Sequence, residues 1–137
     1  MAKKLGSHHY IDSNAGNPAA ALKALGGATV ILATSSDSKS MSAIMGGLAT
    51  RGRMIVLGVG AEDIQVSPLQ LLFSSVGIEG ALTGSPIDNE DTLGFSLLQG
   101  IKPMIETLPL EKAEEGYRKM MSNKARFRIV LTMGTPA

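Results

Sequence analysis

The sequence predicts an α/β fold with a mostly parallel sheet flanked by helices, and three observations carry that expectation. Short apolar, β-branched runs such as Ala28–Ala33 and Met54–Leu57 alternate along the chain with segments of helical periodicity. Strands separated by helices in this way build βαβ units, whose sheet is parallel. Glycine, proline and serine are spread over the junctions, with no internal repeat and no low-complexity segment.

Each element follows from local chemistry. Met1–Leu5 reads as the last turn of a helix, Lys3 and Lys4 suiting its negative end and Gly6 its stop. His8–Asp12 is a short strand candidate. Asn17 caps a helix with Pro18 in its first turn, which runs to Leu25 and stops at Gly26-Gly27. Ala28–Ala33 is continuous and apolar, as in a strand buried on both faces. Beyond Thr34–Ser38, Met41, Ile44, Met45 and Leu48 recur at helical spacing and share one face. Gly52 breaks that helix, and Met54–Leu57 is a second buried strand ending at Gly58-Val59-Gly60. Ser67-Pro68 opens a short helix carrying Leu69, Leu71, Leu72 and Phe73. Val76–Leu82 is a third strand, weakened by Gly77 and Gly80. Acid at Asp88–Asp91 marks a helix start that runs to Gly100. Glu111–Ser122 is the last helix, with Ala113, Tyr117, Met120 and Met121 as its apolar stripe. Glu114–Arg118 and Glu115–Lys119 form i,i+4 pairs on its outer face. Phe127–Thr132 closes the series as a strand.

Composition excludes several functions. The 137 residues are 44% apolar and 18% charged, a globular balance. The absence of cysteine removes disulfides, thiolate metal sites and cysteine nucleophiles, and it fits a reducing, cytoplasmic setting. A net charge of +1 gives no field for nucleic acid. No apolar run is long enough to span a membrane, and no apolar core follows the basic start to make a secretory signal.

In an open parallel sheet, ligands bind at the carboxyl ends of the strands. Thr34-Ser35-Ser36, Gly58-Val59-Gly60 and Leu82-Thr83-Gly84-Ser85 fall at three such ends. Each offers small residues that expose the backbone, and the first and third add hydroxyls that can bond a sugar or phosphate. Small polar residues are also simply what βα loops contain, so both readings stand. Gly58-Val59-Gly60 fails as a dinucleotide fingerprint, because position 63 is Asp and no helix opens directly after it. His8 and His9 are neighbours whose side chains would point to opposite faces of a strand, which does not suit a shared metal. Seven hydroxyl side chains lie from Thr29 to Ser42, but no G-x-S-x-G elbow accompanies them. Lys119, Lys124, Arg126 and Arg128 form a basic patch that is either a solvated surface or, through Arg128, a phosphate contact. Met41, Met45, Met120 and Met121 fit core packing better than a cofactor box.

The runs Ala2-Lys3-Lys4-Leu5-Gly6, Tyr10-Ile11-Asp12-Ser13, Leu25-Gly26-Gly27-Ala28 and Gly52–Gly58 resemble the zinc-type, medium-chain alcohol dehydrogenases. So do Thr83-Gly84-Ser85, Lys102-Pro103, Glu106, Pro109-Leu110 and Lys124–Leu131, in order and with similar spacing. The resemblance covers essentially the whole chain and corresponds to the C-terminal part of such an enzyme. It implies a partial Rossmann domain, lacking the first two strands, over residues 1–101. Residues 102–137 then form a segment that returns to the catalytic domain.

The resemblance also implies site residues. Thr34, Ser35 and Ser36 would lie beside the adenosine half of NAD(P). Leu57, Gly58 and Val59 would meet the nicotinamide ribose and carboxamide, and Ala81, Leu82 and Thr83 the carboxamide. Arg128 would contact the phosphates. Ile78–Leu82 would join two subunits edge to edge in a homo-oligomer. The family's glycine-rich turn, its ribose-binding residue and its zinc ligands have no counterpart in these 137 residues. The expectation is therefore no catalytic residue, no metal ligand, no hydride transfer, and weak or no NAD(P) binding by the chain alone. His8–Asp12 should be orphaned, or pair with Ala28–Ala33 in a rearranged crossover. Lys102–Leu110 and Phe127–Thr132 should expose apolar edges. Two other functions fit the same residues: a non-catalytic dimerisation module, and a small nucleotide-binding domain.

Overall fold

A computed structural model describes residues 1–134 of the chain, which folds as two compact units, Met1–Thr83 and Gly84–Ala137. The first unit contains α1 (Pro18–Ala24), β1 (Ala28–Ala33), α2 (Ser38–Ile44), β2 (Leu48–Val56), α3 (Pro68–Ser74) and β3 (Gly77–Gly80). The three strands form one parallel sheet in the order β1-β2-β3. The second unit contains α4 (Pro86–Gln99), β4 (Ile105–Pro109), α5 (Ala113–Met121) and β5 (Arg128–Thr132). Here β4 and β5 pair in parallel as a separate two-stranded sheet. The α/β class and the parallel pairing are those the alternating sequence predicts.

Helix starts are set by local side chains, of which the sequence reading identified Asn17 as a cap. The Asn17 side chain accepts the N–H groups of Ala19 and Ala20, at 3.0 and 3.1 Å, and Pro18 occupies the first turn of α1. Asp37 caps α2 by accepting the Lys39 N–H. Ser85 donates its N–H and its hydroxyl to the Asp88 carboxylate, each at 2.7 Å, which fixes the start of α4. Gly100 ends α4 in the left-handed conformation.

Several expectations are corrected. His8–Asp12 is not a strand: it makes no ladder with β1 or any other strand, and the Asp12 carboxylate accepts the Asn14 N–H to form a turn. Met1–Leu5 ends in a 3-10 turn, Ala2–Leu5, rather than an α-turn, although Gly6 does stop it in the left-handed conformation. The second helix is shorter than its apolar spacing suggests. Leu48 belongs to β2, because Gly46-Gly47 converts the chain to a 3-10 turn after Ile44. Strand β2 accordingly starts well before Met54 and bulges between Leu48 and Arg53. There a Cβ on Gly52 would sit 2.7 Å from the Ala28 carbonyl oxygen, so only glycine allows the approach. Strand β3 is shorter than Val76–Leu82.

Strand β1 is buried on one face only. Ile31, Ala33, Met54, Val56 and Ile78 point into the core with Met41, Met45 and Leu48. On the other face Val30 and Leu32 are 55% and 64% exposed. Neither Val30 nor Leu32 belongs to the buried cluster or packs against it, so an unbroken apolar run did not mean two-sided burial.

The second unit departs further. Ile105–Pro109 is a strand, although the flanking Pro103 and Pro109 give it no strand signal in the sequence. Helix α5 buries Gly116 and half-buries Ala113 and Lys119. Tyr117, Met120 and Met121, expected as its buried stripe, are all more than half exposed. The reason is Gly116, which brings the helix axis onto β4 and β5. A Cβ there would lie 3.2 Å from Ile129 Cγ2 and 3.4 Å from Leu108 Cδ1. Glu114 and Arg118 pair at 3.9 Å, whereas Lys119 turns away from Glu115 to pair with Glu106.

Met54→Ala should lower unfolding stability by about 2–5 kcal/mol in urea denaturation. Leu32→Ala should change it by no more than about 0.5 kcal/mol. A loss at Leu32 equal to that at Met54 would contradict the one-sided sheet.

Candidate functional site

The parallel register sets the geometry of the candidate site. Ala33 pairs with Val56, and Val56 with Gly80. The residues that follow, Thr34, Leu57 and Ala81, therefore leave the sheet at one carboxyl edge. Nine of the expected site residues lie on the three segments that start there: Thr34–Ser36, Leu57–Val59 and Ala81–Thr83. Arg128 opens β5 in the second unit and is exposed.

Two of the three segments are tied together. The Ala33 carbonyl accepts the N–H groups of both Leu57 and Gly58, at 3.0 and 2.9 Å. Gly58 packs so closely on the Ser35 main chain that any Cβ would overlap its carbonyl oxygen. Gly60 stands in the same relation to Ser36, whose carbonyl oxygen would lie 2.6 Å from a Cβ. The glycines of Gly58-Val59-Gly60 thus serve chain-to-chain approach, which explains their presence without a dinucleotide fingerprint. Ser38 donates its hydroxyl to the Glu62 carbonyl at 2.6 Å, holding the following loop against α2. The third segment is attached by one bond, Ala81 N–H to the Val56 carbonyl at 3.0 Å. Beyond it Leu82 is 96% exposed.

Polar groups crowd the first segment. The Ser35 hydroxyl accepts the Asp37 N–H at 3.0 Å. The Ser40 hydroxyl donates to the Asp37 carboxylate and is the main reason that its pKa lies below the ordinary value. Ser35 also lines a hollow of about 620 Å³ floored by Ile11, Pro18 and Ile44, with Lys39 and Ser40 on its wall. The Ile11 and Pro18 contributions could not be read from the sequence, since they depend on how the chain before β1 folds back.

In the second unit, Glu106 on β4 gathers the basic patch. Its carboxylate accepts from the Lys119 ammonium on α5 and from the Arg126 N–H at 2.6 Å. These contacts, Lys119 foremost, hold its pKa below the usual carboxylate value. The Arg126 guanidinium donates to the carbonyls of Asn123 and Ala125, at 3.2 and 3.1 Å. Among the described residues Arg128 makes no ion pair. Sequence reasoning gave Glu106 no role, because its partners lie 13 and 20 residues away.

The same geometry bears on metal binding. His8 and His9 are exposed, and among the described residues no three His, Asp or Glu side chains come together to hold a metal ion. The described residues do not fit a zinc site.

A family model described as zinc-binding dehydrogenase matches residues 1–97, more than half of the chain. The chain belongs to the zinc-binding dehydrogenase family. Among curated proteins, the alcohol dehydrogenase patD of Penicillium expansum is 36% identical over 133 residues, covering 97% of this chain and 39% of that protein. The alcohol dehydrogenase notN of Aspergillus sp. (strain MF297-2) is 35% identical, covering 96% of this chain and 39% of that protein. A solved alcohol dehydrogenase zinc-binding domain protein from Burkholderia ambifaria superposes with a TM-score of 0.86 at 23% identity, which supports the fold. That likeness covers 98% of this chain and 38% of that one. The zinc-binding dehydrogenase chain thus spans about 39% of the length of the curated relatives it matches.

Gly58→Ala should destabilise the first unit by about 1–3 kcal/mol through overpacking against Ser35. Val59→Ala, at a position 88% exposed, should stay within about 0.5 kcal/mol. Equal effects in urea denaturation would contradict the close approach. For Glu106, a pKa lowered by folding stabilises the protein above its unfolded value of about 4.3, and that contribution fades as pH falls through the folded value. The stability gap between wild type and Glu106→Gln should therefore shrink as pH is lowered from about 6 to about 3. A constant gap would contradict the assignment.

Proposed function

We propose that this chain carries part of the NAD(P) platform of an alcohol dehydrogenase, which in its entirety interconverts an alcohol with an aldehyde or ketone. The single observation that carries the proposal is the register Ala33–Val56–Gly80 in a member of this family. It gathers three βα segments at the edge where parallel sheets receive ligands. The Thr34, Ser35 and Ser36 hydroxyls are donors and acceptors suited to the sugar of the adenosine half. The hollow beside Ser35 has an apolar floor suited to a base. Leu57, Gly58 and Val59, with Ala81, Leu82 and Thr83, are assigned to the nicotinamide end, where main-chain groups would orient the carboxamide. Arg128 in the second unit is assigned a phosphate contact, because a guanidinium bonds phosphate in a fork. When bound, the nicotinamide supplies hydride chemistry, and the residues of this chain bind and orient it.

A second reading concerns association. Among the described residues strand β3 pairs with β2 alone, and within Ile78–Leu82 only Ile78 is partly buried, while Glu79, Gly80, Ala81 and Leu82 are exposed. An open edge is a template for another strand, so we propose that two copies pair there.

NADH titration followed by fluorescence should show weak, saturable enhancement. Arg128→Ala should weaken binding about tenfold, in keeping with a lost charge-assisted hydrogen bond. The 137 residues alone should oxidise no alcohol. Unchanged affinity in the Arg128 variant would remove the phosphate assignment. Light scattering should report a dimer, and a monodisperse monomer would contradict the edge pairing.

A further inference from the structure

We propose that Glu106 is the positioning residue for Arg128. With Lys119 holding it from α5, it fixes the turn through which the chain enters β5. The inference rests on the reading of Arg128 as a phosphate contact only for its functional consequence; the positioning itself stands on geometry.

The turn before β5 is tied to α5 at its entry, where the Asn123 and Lys124 N–H groups donate to the Met120 and Lys119 carbonyls at 3.0 and 2.9 Å. It leaves α5 at Ser122 and reaches Arg128 through Asn123–Phe127, where Asn123 has φ +55°. Two hydrogen bonds tie its exit to the preceding β4 segment. Phe127 N–H donates to the Met104 carbonyl at 3.1 Å, and Arg126 N–H donates to the Glu106 carboxylate at 2.6 Å. The first is a main-chain bond that any sequence can make. The second depends on one side chain.

That side chain is itself held. Its other carboxylate oxygen takes the Lys119 ammonium, and both side chains are more than half buried, unlike the exposed pairs Lys39–Glu62 and Glu114–Arg118. Ion pairs between exposed groups contribute little. This one closes a triangle of β4, α5 and the turn, and a charged acceptor on a backbone N–H makes a strong, directed bond. In the β4–β5 ladder Ile105 lies opposite Arg128, and Glu106 opposite Ile129. The carboxylate therefore acts one ladder step from the residue whose direction it sets. The Arg126 guanidinium is directed to the Asn123 and Ala125 carbonyls, and Lys119 is directed to Glu106. Arg128, which opens the strand, and Lys124 in the turn make no ion pair among the described residues.

Amide hydrogen exchange by NMR on the full chain tests the clamp directly, with inorganic pyrophosphate as the anion probe. Glu106→Ala should speed exchange at residues 126–129 about tenfold relative to wild type, with the β1–β2 amides of the first unit unchanged. Pyrophosphate, followed at the Arg128 Nε–H, should bind at least fivefold more weakly. Glu106→Gln keeps an acceptor for the Arg126 N–H and should restore much of both. Lys119→Met releases the carboxylate from the other side, and should loosen the same four amides if Glu106→Ala fails to fold. Exchange at residues 126–129 unchanged in both Glu106→Ala and Lys119→Met would overturn the inference. Faster exchange in the variants, with no pyrophosphate response in wild type, would support the positioning and defeat only the phosphate role of Arg128.

Discussion

One carbonyl organises the carboxyl edge of the first unit. Ala33 is the last residue of β1, and its oxygen accepts both Leu57 and Gly58 N–H as the chain leaves β2. The bifurcated contact forces the two loops together, and Gly58 is the residue that tolerates the result, because a side chain there would occupy the place of the Ser35 carbonyl. From this contact follow the exposed hydroxyls of Thr34, Ser35 and Ser36, the hollow beside Ser35, and the path of the chain past Gly60 toward Glu62. The core beneath is small and methionine-rich. Met41, Met45 and Met54 adapt to a space that three strands and short helices enclose, as unbranched side chains can.

Much of this was legible in the residues. Asn17 before Pro18 and Gly100 after Gln99 are local signals: the Asn17 side chain satisfies backbone N–H groups at the start of α1, and the Gly100 N–H satisfies carbonyls at the end of α4. The strand runs Ala28–Ala33 and Met54–Val56 were equally plain. What failed was long-range. Leu48 continued an apolar helical spacing but lies in β2, because Gly46-Gly47 ends the helix first. The apolar continuity of β1 suggested burial on two faces, yet burial depends on what packs against each face. Tyr117, Met120 and Met121 have the right period for a core stripe, and Gly116 displaced that stripe by bringing a different side of α5 to the sheet.

The candidate site divides in the same way. The three loop segments could be located from the sequence because a parallel sheet places its carboxyl ends together, whatever the side chains. The role of Glu106 could not, since its two partners are distant in sequence and only the β4–α5–β5 crossover brings them to one carboxylate. The pairing partner of Lys119 was misjudged for the same reason: Glu115 is the helical neighbour, but Glu106 is half-buried and offers a second hydrogen bond through Arg126. Family membership adds a name to the platform and a direction to its chemistry, while the zinc site finds no fit among the described residues of this chain.

The central claim is that the carboxyl edge of β1, β2 and β3 receives a nicotinamide dinucleotide. Its most direct test is a residue-resolved NMR titration of the chain with millimolar NADH. The account predicts saturable amide shifts concentrated at Thr34–Ser36, Leu57–Val59 and Ala81–Thr83, with the Leu48–Arg53 bulge at the opposite end of the sheet unmoved. Shifts spread evenly over the chain, or confined to that opposite end, would contradict it.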